Sequence, residues 1–155
     1  MKYLLTVFFL CLVLTLGAQT PQDSVKQAVL SFFGAFHDRD AQGMRQWLHK
    51  DAILRRTAPN AQKVHQLKKQ SFEDLINGIV AIPDSTQFEE RLLDFKIETD
   101  GPLAHVWTPY AFYLQGKFHH GGANSIQLFK EGDRWQIIYL VDSRTLEGGH
   151  KNDDP

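Results

Sequence analysis

Cysteine is nearly absent from this sequence, and its scarcity excludes several kinds of chemistry. The one cysteine among 155 residues is Cys11, which lies inside an apolar N-terminal run. If that run is removed on export, the remaining chain has no sulfur for a disulfide, a thiolate nucleophile or a metal site. We therefore expect its stability to come from packing alone.

Several familiar motifs are also missing. The sequence has no glycine-rich phosphate loop, no Gly-x-Ser-x-Gly and no His-Glu-x-x-His. This argues against nucleotide-dependent hydride transfer, serine hydrolysis and zinc proteolysis. The 17 basic and 18 acidic residues nearly balance, and no basic stripe is interleaved with aromatic residues. We therefore expect neither a nucleic acid partner nor a cofactor.

The N-terminal residues 1–18 have the pattern of a signal peptide. Lys2 supplies a positive charge, Leu4–Leu16 is largely apolar, and Gly17 and Ala18 are small. The run is short for a bilayer span, and polar residues follow at once. We expect cleavage after Ala18 and a secreted or periplasmic protein with no further membrane contact. Retention as an uncleaved anchor is the alternative.

The remaining chain is long enough for one domain, which we expect over residues 19–147. Residues 148–155 contain no apolar side chain and are predicted to be a disordered tail. Asp23 or Ser24 can cap a first helix, whose apolar residues fall at helical spacing: Val25, Ala28, Val29, Phe32, Phe33 and Phe36.

Two further helices and a run of strands follow. A short helix carries Met44, Trp47 and Leu48 on one face, with Asp40 as its N-cap, and a third begins at the capping box of Ser71. The predicted strands are Ala52–Thr57, Val64–Leu67, Arg91–Thr99, Leu103–Gln115, Phe118–Lys130 and Arg134–Thr145. Helices followed by long antiparallel strands predict an α+β fold with the helices on one face of the sheet.

The turn at Gly116 predicts which side chains share a face. A two-residue turn at Gln115–Gly116 or at Gly116–Lys117 gives the same facial parity. One face then carries His105, Trp107, Tyr113, His120 and Asn124. The other carries Val106, Tyr110, Phe112, Gly121 and Ala123. A three-residue loop, or a bulge at Pro109, would break this assignment.

Three aromatic residues and one histidine of this hairpin are candidates for a pocket. Trp107, Tyr110 and Tyr113 can line a ligand pocket or pack the first helix. His120 can be a general acid or base, or a structural hairpin residue. His119 points away from His120 on a regular strand, and no third ligand joins the histidines, so no metal site is expected.

Carboxylates elsewhere are weaker candidates. Asp142 and Arg144 share a face of the last strand, either as a surface ion pair or as base and anion clamp at a pocket mouth. Burial of Trp135 and its alternating partners would turn Asp142 outward, which favours a rim or structural role. Asp38 lies at a helix junction, where a buried carboxylate could abstract a proton.

A longer motif carries a family resemblance. The run from Val106 to Gly122 contains Trp-x-Pro-Tyr-x-Phe-Tyr, Gly-Lys and His-x-Gly, and Trp135, Ile137 and Asp142-Ser-Arg144 follow it. This resembles the nuclear transport factor 2-like superfamily, in particular its SnoaL-like and lumazine-binding groups of cystatin-like cone fold. Gly121 stands where cysteine is common there, and Arg134 precedes the tryptophan in place of glycine.

The resemblance implies a cone-shaped, curved antiparallel sheet wrapped around the N-terminal helices, a conical cavity and a homodimer formed through the outer sheet face. The superfamily includes ketosteroid isomerases, polyketide cyclases, dehydratases and noncatalytic binding domains, so the fold alone does not choose a function. No tyrosine and carboxylate pair of the isomerases can be matched to residues of this chain.

Three hypotheses follow. The first is an exported protein that binds a small hydrophobic or aromatic ligand through Trp107, Tyr110, Tyr113 and His120, with Trp47, Phe33 and Arg144. The second is a cofactor-free lyase or isomerase with His120 or Asp38 as base. The third is a noncatalytic dimerisation module. A buried His120 of perturbed pKa in an open pocket would favour the second, and a cavity closed by Phe and Trp side chains the third.

Overall fold

The computed structural model describes residues 20–145. The predicted signal peptide and C-terminal tail lie outside this range. The helices are α1 Pro21–His37, α2 Ala41–Arg45 and α3 Phe72–Val80. The strands are β1 Leu48–Pro59, β2 His65–Gln70, β3 Phe88–Leu92, β4 Lys96–Asp100, β5 Leu103–Leu114, β6 Lys117–Glu131 and β7 Arg134–Ser143. Within the described range no helix is long and apolar enough to cross a bilayer.

Helix α1 forms as predicted but begins earlier. Its N-cap is Thr20, not Asp23 or Ser24; the Thr20 hydroxyl accepts from the Asp23 amide at 3.1 Å, and the Asp23 carboxylate accepts from the Thr20 amide at 3.1 Å. This reciprocal capping box, with Pro21 in the first turn, satisfies amides that the helix leaves free. All six residues of the predicted apolar stripe are buried.

The two other helices are held by the predicted caps. The Asp40 carboxylate accepts from the Gly43 amide at 2.9 Å, and the Ser71 hydroxyl from the Asp74 amide at 3.0 Å. Helix α2 is shorter than expected, so Trp47 follows it and Leu48 begins β1. Both residues still pack against the core.

The strands form one seven-stranded sheet of order β2-β1-β7-β6-β5-β3, with β4 also paired to β5. The strand predicted over residues 91–99 is two strands, and both pair with β5. Every pairing is antiparallel except that of β1 with β7, which is parallel, so the sheet is mixed. The buried face packs on α1 and α3, and the predicted α+β fold is confirmed.

Two irregularities invert the predicted alternation along β6 and β7. The turn is Gln115–Gly116, because Leu114 pairs with Lys117. Tyr113 then pairs with Phe118 but Phe112 pairs with His120, which leaves His119 as an extra residue. On β7 the partners of Leu128 and Gln127 are Ile137 and Tyr139, so Ile138 is extra. Each extra residue exchanges the inner and outer faces of the strand beyond it.

The predicted face assignment is therefore wrong. His120 and Asn124 lie on the inner face with Tyr110 and Phe112, and both are buried. Trp107 lies on the outer face with 44% of its surface exposed. The outward orientation expected for Asp142 is wrong for the same reason, since only 5% of this residue is exposed.

Candidate functional site

A cavity of about 230 Å³ lies between the helices and the inner face of the sheet. One part of its wall is apolar: Phe32, Phe33, Phe36, Leu54, Leu75, Ile79, Phe112, Leu114 and Leu140. The other part is polar: Arg56, Glu90, Tyr110, His119, His120, Asn124, Asp142 and Arg144. We call these the apolar wall and the polar wall. The volume lies below the range of about 300–1,000 Å³ usual for drug-sized ligands, so the cavity suits a smaller molecule.

An ion pair crosses the parallel strands of the polar wall. Arg56 and Asp142 are register partners on β1 and β7, and the Arg56 Nε donates to the Asp142 carboxylate oxygens at 2.8 and 3.0 Å. Burial raises the pKa of Asp142, and the charge and hydrogen bonds of Arg56 oppose that rise. The charges of Arg56 and Asp142 therefore neutralise each other in the cavity wall.

Glu90 contributes a second carboxyl group, without an ion-pair partner among residues 20–145. It lies on β3, where its Oε1 accepts from Asn124 Nδ2 at 2.9 Å and its amide donates to His37 Nε2 at 3.0 Å. Burial, reinforced by the Asp142 charge, raises the pKa of Glu90 to about 7, although Asn124 and Arg56 oppose the rise. The carboxyl can therefore give or take a proton near neutral pH.

Tyr110 presents its hydroxyl beside these groups. The hydroxyl donates to the Ser143 carbonyl at 2.9 Å, so its oxygen remains free to accept. Burial, followed by the charges of Glu90 and Asp142, raises the pKa of Tyr110 far above its usual range. Tyr110 is thus a neutral hydrogen-bonding group at any physiological pH.

Two adjacent histidines complete the polar wall. The Nδ1 atoms of His119 and His120 lie 2.8 Å apart, and the His120 ring stacks on Phe112 with centroids 4.8 Å apart. Burial, with the positive charge of Arg144 next in importance, lowers the pKa of His120 to about 4. His120 is therefore neutral at pH 7, with one ring nitrogen to donate and one to accept.

The structure brings together five of the residues selected from the sequence: Phe33, Tyr110, His120, Asp142 and Arg144. It places four others elsewhere. Trp107 is on the outer face, Tyr113 lies against the Arg91 guanidinium at 4.2 Å outside the cavity, Trp47 packs on the core, and Asp38 is the exposed C-cap of α1.

Sequence reasoning missed Arg56, Glu90, Asn124 and His119 as members of the site. A signal for Glu90 was present in the sequence, because Glu90 alternates with Phe88 and Leu92 and would share a strand face with these two apolar residues. Arg56 had no comparable signal, since its partner is 86 residues away. Among residues 20–145 no group of three or more His, Cys, Asp or Glu side chains is arranged to hold a metal ion.

The architecture is that of the cystatin-like, nuclear transport factor 2-like cone fold, which similar solved structures share. No family model and no curated protein matches the chain, whereas solved structures do. A nuclear transport factor 2-like protein of unknown function from Pseudomonas putida shares 13% identity at a TM-score of 0.64, with 86% of this chain and 96% of that chain covered.

Two other solved structures show the same similarity. A cystatin-like fold protein of unknown function from Nostoc punctiforme shares 13% identity at a TM-score of 0.63, covering 83% of this chain and 95% of that one. A candidate dehydratase of the nuclear transport factor 2-like family from Streptomyces avermitilis shares 14% identity at a TM-score of 0.61, covering 81% and 96%. The resemblance suggested by the sequence is thereby confirmed at the level of the fold.

Proposed function

We propose that this protein is an exported domain that binds a small molecule with an apolar body and a hydrogen-bonding end. The observation that carries the proposal is the division of one cavity into an apolar wall and a polar wall. Ligand pockets combine a large apolar lining with a few polar groups that fix orientation. At about 30 Å³ per water, the cavity volume equals that of roughly eight waters, so a one- or two-ring molecule suits it.

Native mass spectrometry of the mature protein from an exporting host tests this proposal. We expect an excess mass that organic extraction removes. Leu75→Trp, on the cavity wall, should abolish the adduct because the larger ring occupies the cavity. Val80→Trp is the matched control, because Val80 lies on the same helix but is 46% exposed and outside the cavity lining. A bare mass for the wild type, or an adduct unchanged by Leu75→Trp, would contradict ligand binding here.

A second candidate function is cofactor-free acid–base catalysis. It is favoured by Glu90, whose carboxyl has a pKa raised by burial to about 7 and faces the cavity. The ionised carboxylate would take a proton from a carbon beside a carbonyl group, and the electron pair would move to the carbonyl oxygen. Neutral His120, buried in an open cavity, could donate a hydrogen bond to that oxygen. The fold shared with the Streptomyces avermitilis candidate dehydratase is compatible with this chemistry.

Hydrogen exchange distinguishes the catalyst from the binding protein. The extracted ligand is returned to the protein in D2O, and incorporation of deuterium at carbon is followed by mass spectrometry. Catalysis predicts incorporation by the wild type, its loss in Glu90→Gln, and its retention in Glu89→Gln, since Glu89 is exposed and paired with Arg91. Equal incorporation by both variants, or none by the wild type, would reject Glu90 as a base.

A further inference from the structure

Among residues 20–145, the cavity holds one guanidinium that forms no ion pair with a carboxylate, although its charge opposes the rise that burial causes in the pKa of nearby Asp142. Of its two arginines, Arg56 is committed to Asp142 through two hydrogen bonds. Arg144 lines the cavity and is partly exposed, yet within residues 20–145 no carboxylate oxygen lies within ion-pairing distance of it. Its one side-chain hydrogen bond within these residues is a long one of 3.4 Å between Nη2 and His119 Nδ1. The guanidinium is therefore available to a ligand.

The charge of Arg144 also acts on neighbouring His120, whose pKa it lowers further after the larger effect of burial. The groups that lower the pKa of His120 after burial are all positively charged or protonatable: Arg144, His119 and Arg56. Remaining neutral avoids the repulsion that a charged His120 would meet there. Burial, the larger cause, disfavours charge of either sign, as the raised pKa of Glu90 shows, so an anion is favoured only where Arg144 can pair with it.

From this arrangement we infer that the ligand is an apolar monocarboxylate, its carboxylate held by Arg144 and its body packed against the apolar wall. The inference rests on the proposed binding function and adds the ligand's charge to it. A guanidinium matches a carboxylate with two parallel hydrogen bonds. One unpaired arginine, in a cavity that also contains Asp142 and Glu90, suits a single negative charge better than a doubly charged phosphate.

Glu90 adapts to such a ligand by taking up a proton. Four groups face its carboxyl from four different strands: Arg56 on β1, Tyr110 on β5, Asn124 on β6 and Asp142 on β7. His37 on α1 accepts from the backbone amide of Glu90. A ligand carboxylate adds negative charge to this environment and raises the pKa of Glu90 further above its value of about 7. Binding at pH 7 should therefore take up about half a proton from solution.

Calorimetry with acids and their uncharged amides tests the inference. The probes are benzoate with benzamide, cyclohexanecarboxylate with its carboxamide, and naphthalene-2-carboxylate with its carboxamide, all titrated into the ligand-stripped mature protein. We expect at least one acid to bind about ten- to a hundredfold more tightly than its amide, as for a hydrogen bond to a charged group. Repetition in two buffers of different ionisation enthalpy should show uptake of about half a proton.

Three variants isolate the contribution of Arg144. Arg144→Gln should remove the preference for the acid, and Arg144→Lys should restore part of it because the charge remains. Arg134→Gln is the control, because Arg134 is an exposed arginine at the start of β7 and outside the cavity lining. Its preference for the acid should equal that of the wild type.

The outcomes separate this inference from the proposed binding function. Amides that bind as tightly as acids, an acid preference that survives Arg144→Gln, or an uncharged extracted ligand would each overturn the inference and leave ligand binding standing. If no acid and no amide binds and native mass spectrometry finds no extractable ligand, both are overturned.

Discussion

Replacing Glu90 with glutamine should stabilise the protein at neutral pH and leave it unchanged in mild acid. Glutamine has nearly the same shape, and its side-chain oxygen can still accept from Asn124 Nδ2. It also behaves as a glutamic acid that never ionises. Because the folded protein raises the pKa of Glu90, folding favours the protonated carboxyl. The stability due to this preference is fully present below the ordinary pKa of a glutamic acid. It is lost as the pH rises through the pKa that Glu90 has in the folded protein.

The size of the effect follows from the ordinary pKa of a glutamic acid and the pKa of Glu90 in the folded protein. Roughly 2.5 pH units separate the ordinary value of 4.5 from a pKa of about 7, and each corresponds to about 1.4 kcal/mol. The free energy of unfolding of Glu90→Gln should therefore match that of the wild type near pH 4.5 and exceed it by about 3 kcal/mol at pH 8. The pH dependence of wild-type stability alone would not reveal the effect of Glu90. The lowered pKa of His120 acts in the opposite direction, because it makes the protein less stable as the pH falls from 6.5 towards 4.

Urea denaturation of both proteins at pH 4.5, 5.5, 6.5 and 8 measures the difference directly. Glu89→Gln is the control: Arg91 lowers the pKa of Glu89, so any pH-dependent difference should have the opposite sign, and it should be small because the pair is exposed. A difference for Glu90→Gln that stays within about 1 kcal/mol of zero at every pH, or that favours the wild type as the pH rises, would refute the assigned environment of Glu90.

Three further predictions concern a buried ion pair, the packing of one glycine and the cap of one helix. Arg56→Leu should cost about 3 kcal/mol in urea denaturation at pH 7, since it leaves Asp142 buried without its partner, and the double variant with Asp142→Leu should recover most of the loss. Gly122→Ala should lower the thermal midpoint, by about 1–3 kcal/mol in stability, because its Cβ would collide with the Ser143 carbonyl. Ser71→Ala should cost about 1 kcal/mol through the lost cap of α3, and no change on denaturation would contradict that role.

Local sequence rules were sufficient for the features whose cause is local. The apolar stripe of α1 and the caps Asp40 and Ser71 are present as predicted, and the turn at Gln115–Gly116 is one of the two that the sequence allowed. Each depends on residues within one or two turns of chain. Of the three helix N-caps, only that of α1 differs from the prediction. Its N-cap is Thr20, which forms a capping box with Asp23, whereas Asp23 or Ser24 was expected to be the cap.

The candidate site was only partly predictable because facial alternation fails at a bulge. His120 and Asp142 were recognised as titratable groups. The extra residue His119 places His120 with Tyr110 and Phe112 instead of Trp107 and Tyr113, and the extra residue Ile138 turns Asp142 inward, contrary to the simple pattern. Both bulges are set by pairing with a neighbouring strand, so a single strand's sequence does not reveal them. Glu90 was missed because the predicted strand began at Arg91, three residues after the observed start of β3 at Phe88.

By itself the sequence determined the order of the elements, the α+β class and, through one motif on β5 and β6, the cone fold. The order of the elements and the α+β class follow from periodicity, capping and turn chemistry, which act over short stretches of chain, whereas the cone fold was expected from the family resemblance that the motif carries. Only the tertiary structure decided which side chains meet in the cavity. It joins Arg56 to Asp142 across a parallel pair of strands and Glu90 to Asn124 across the sheet, because register and bulges are set by contacts between distant segments.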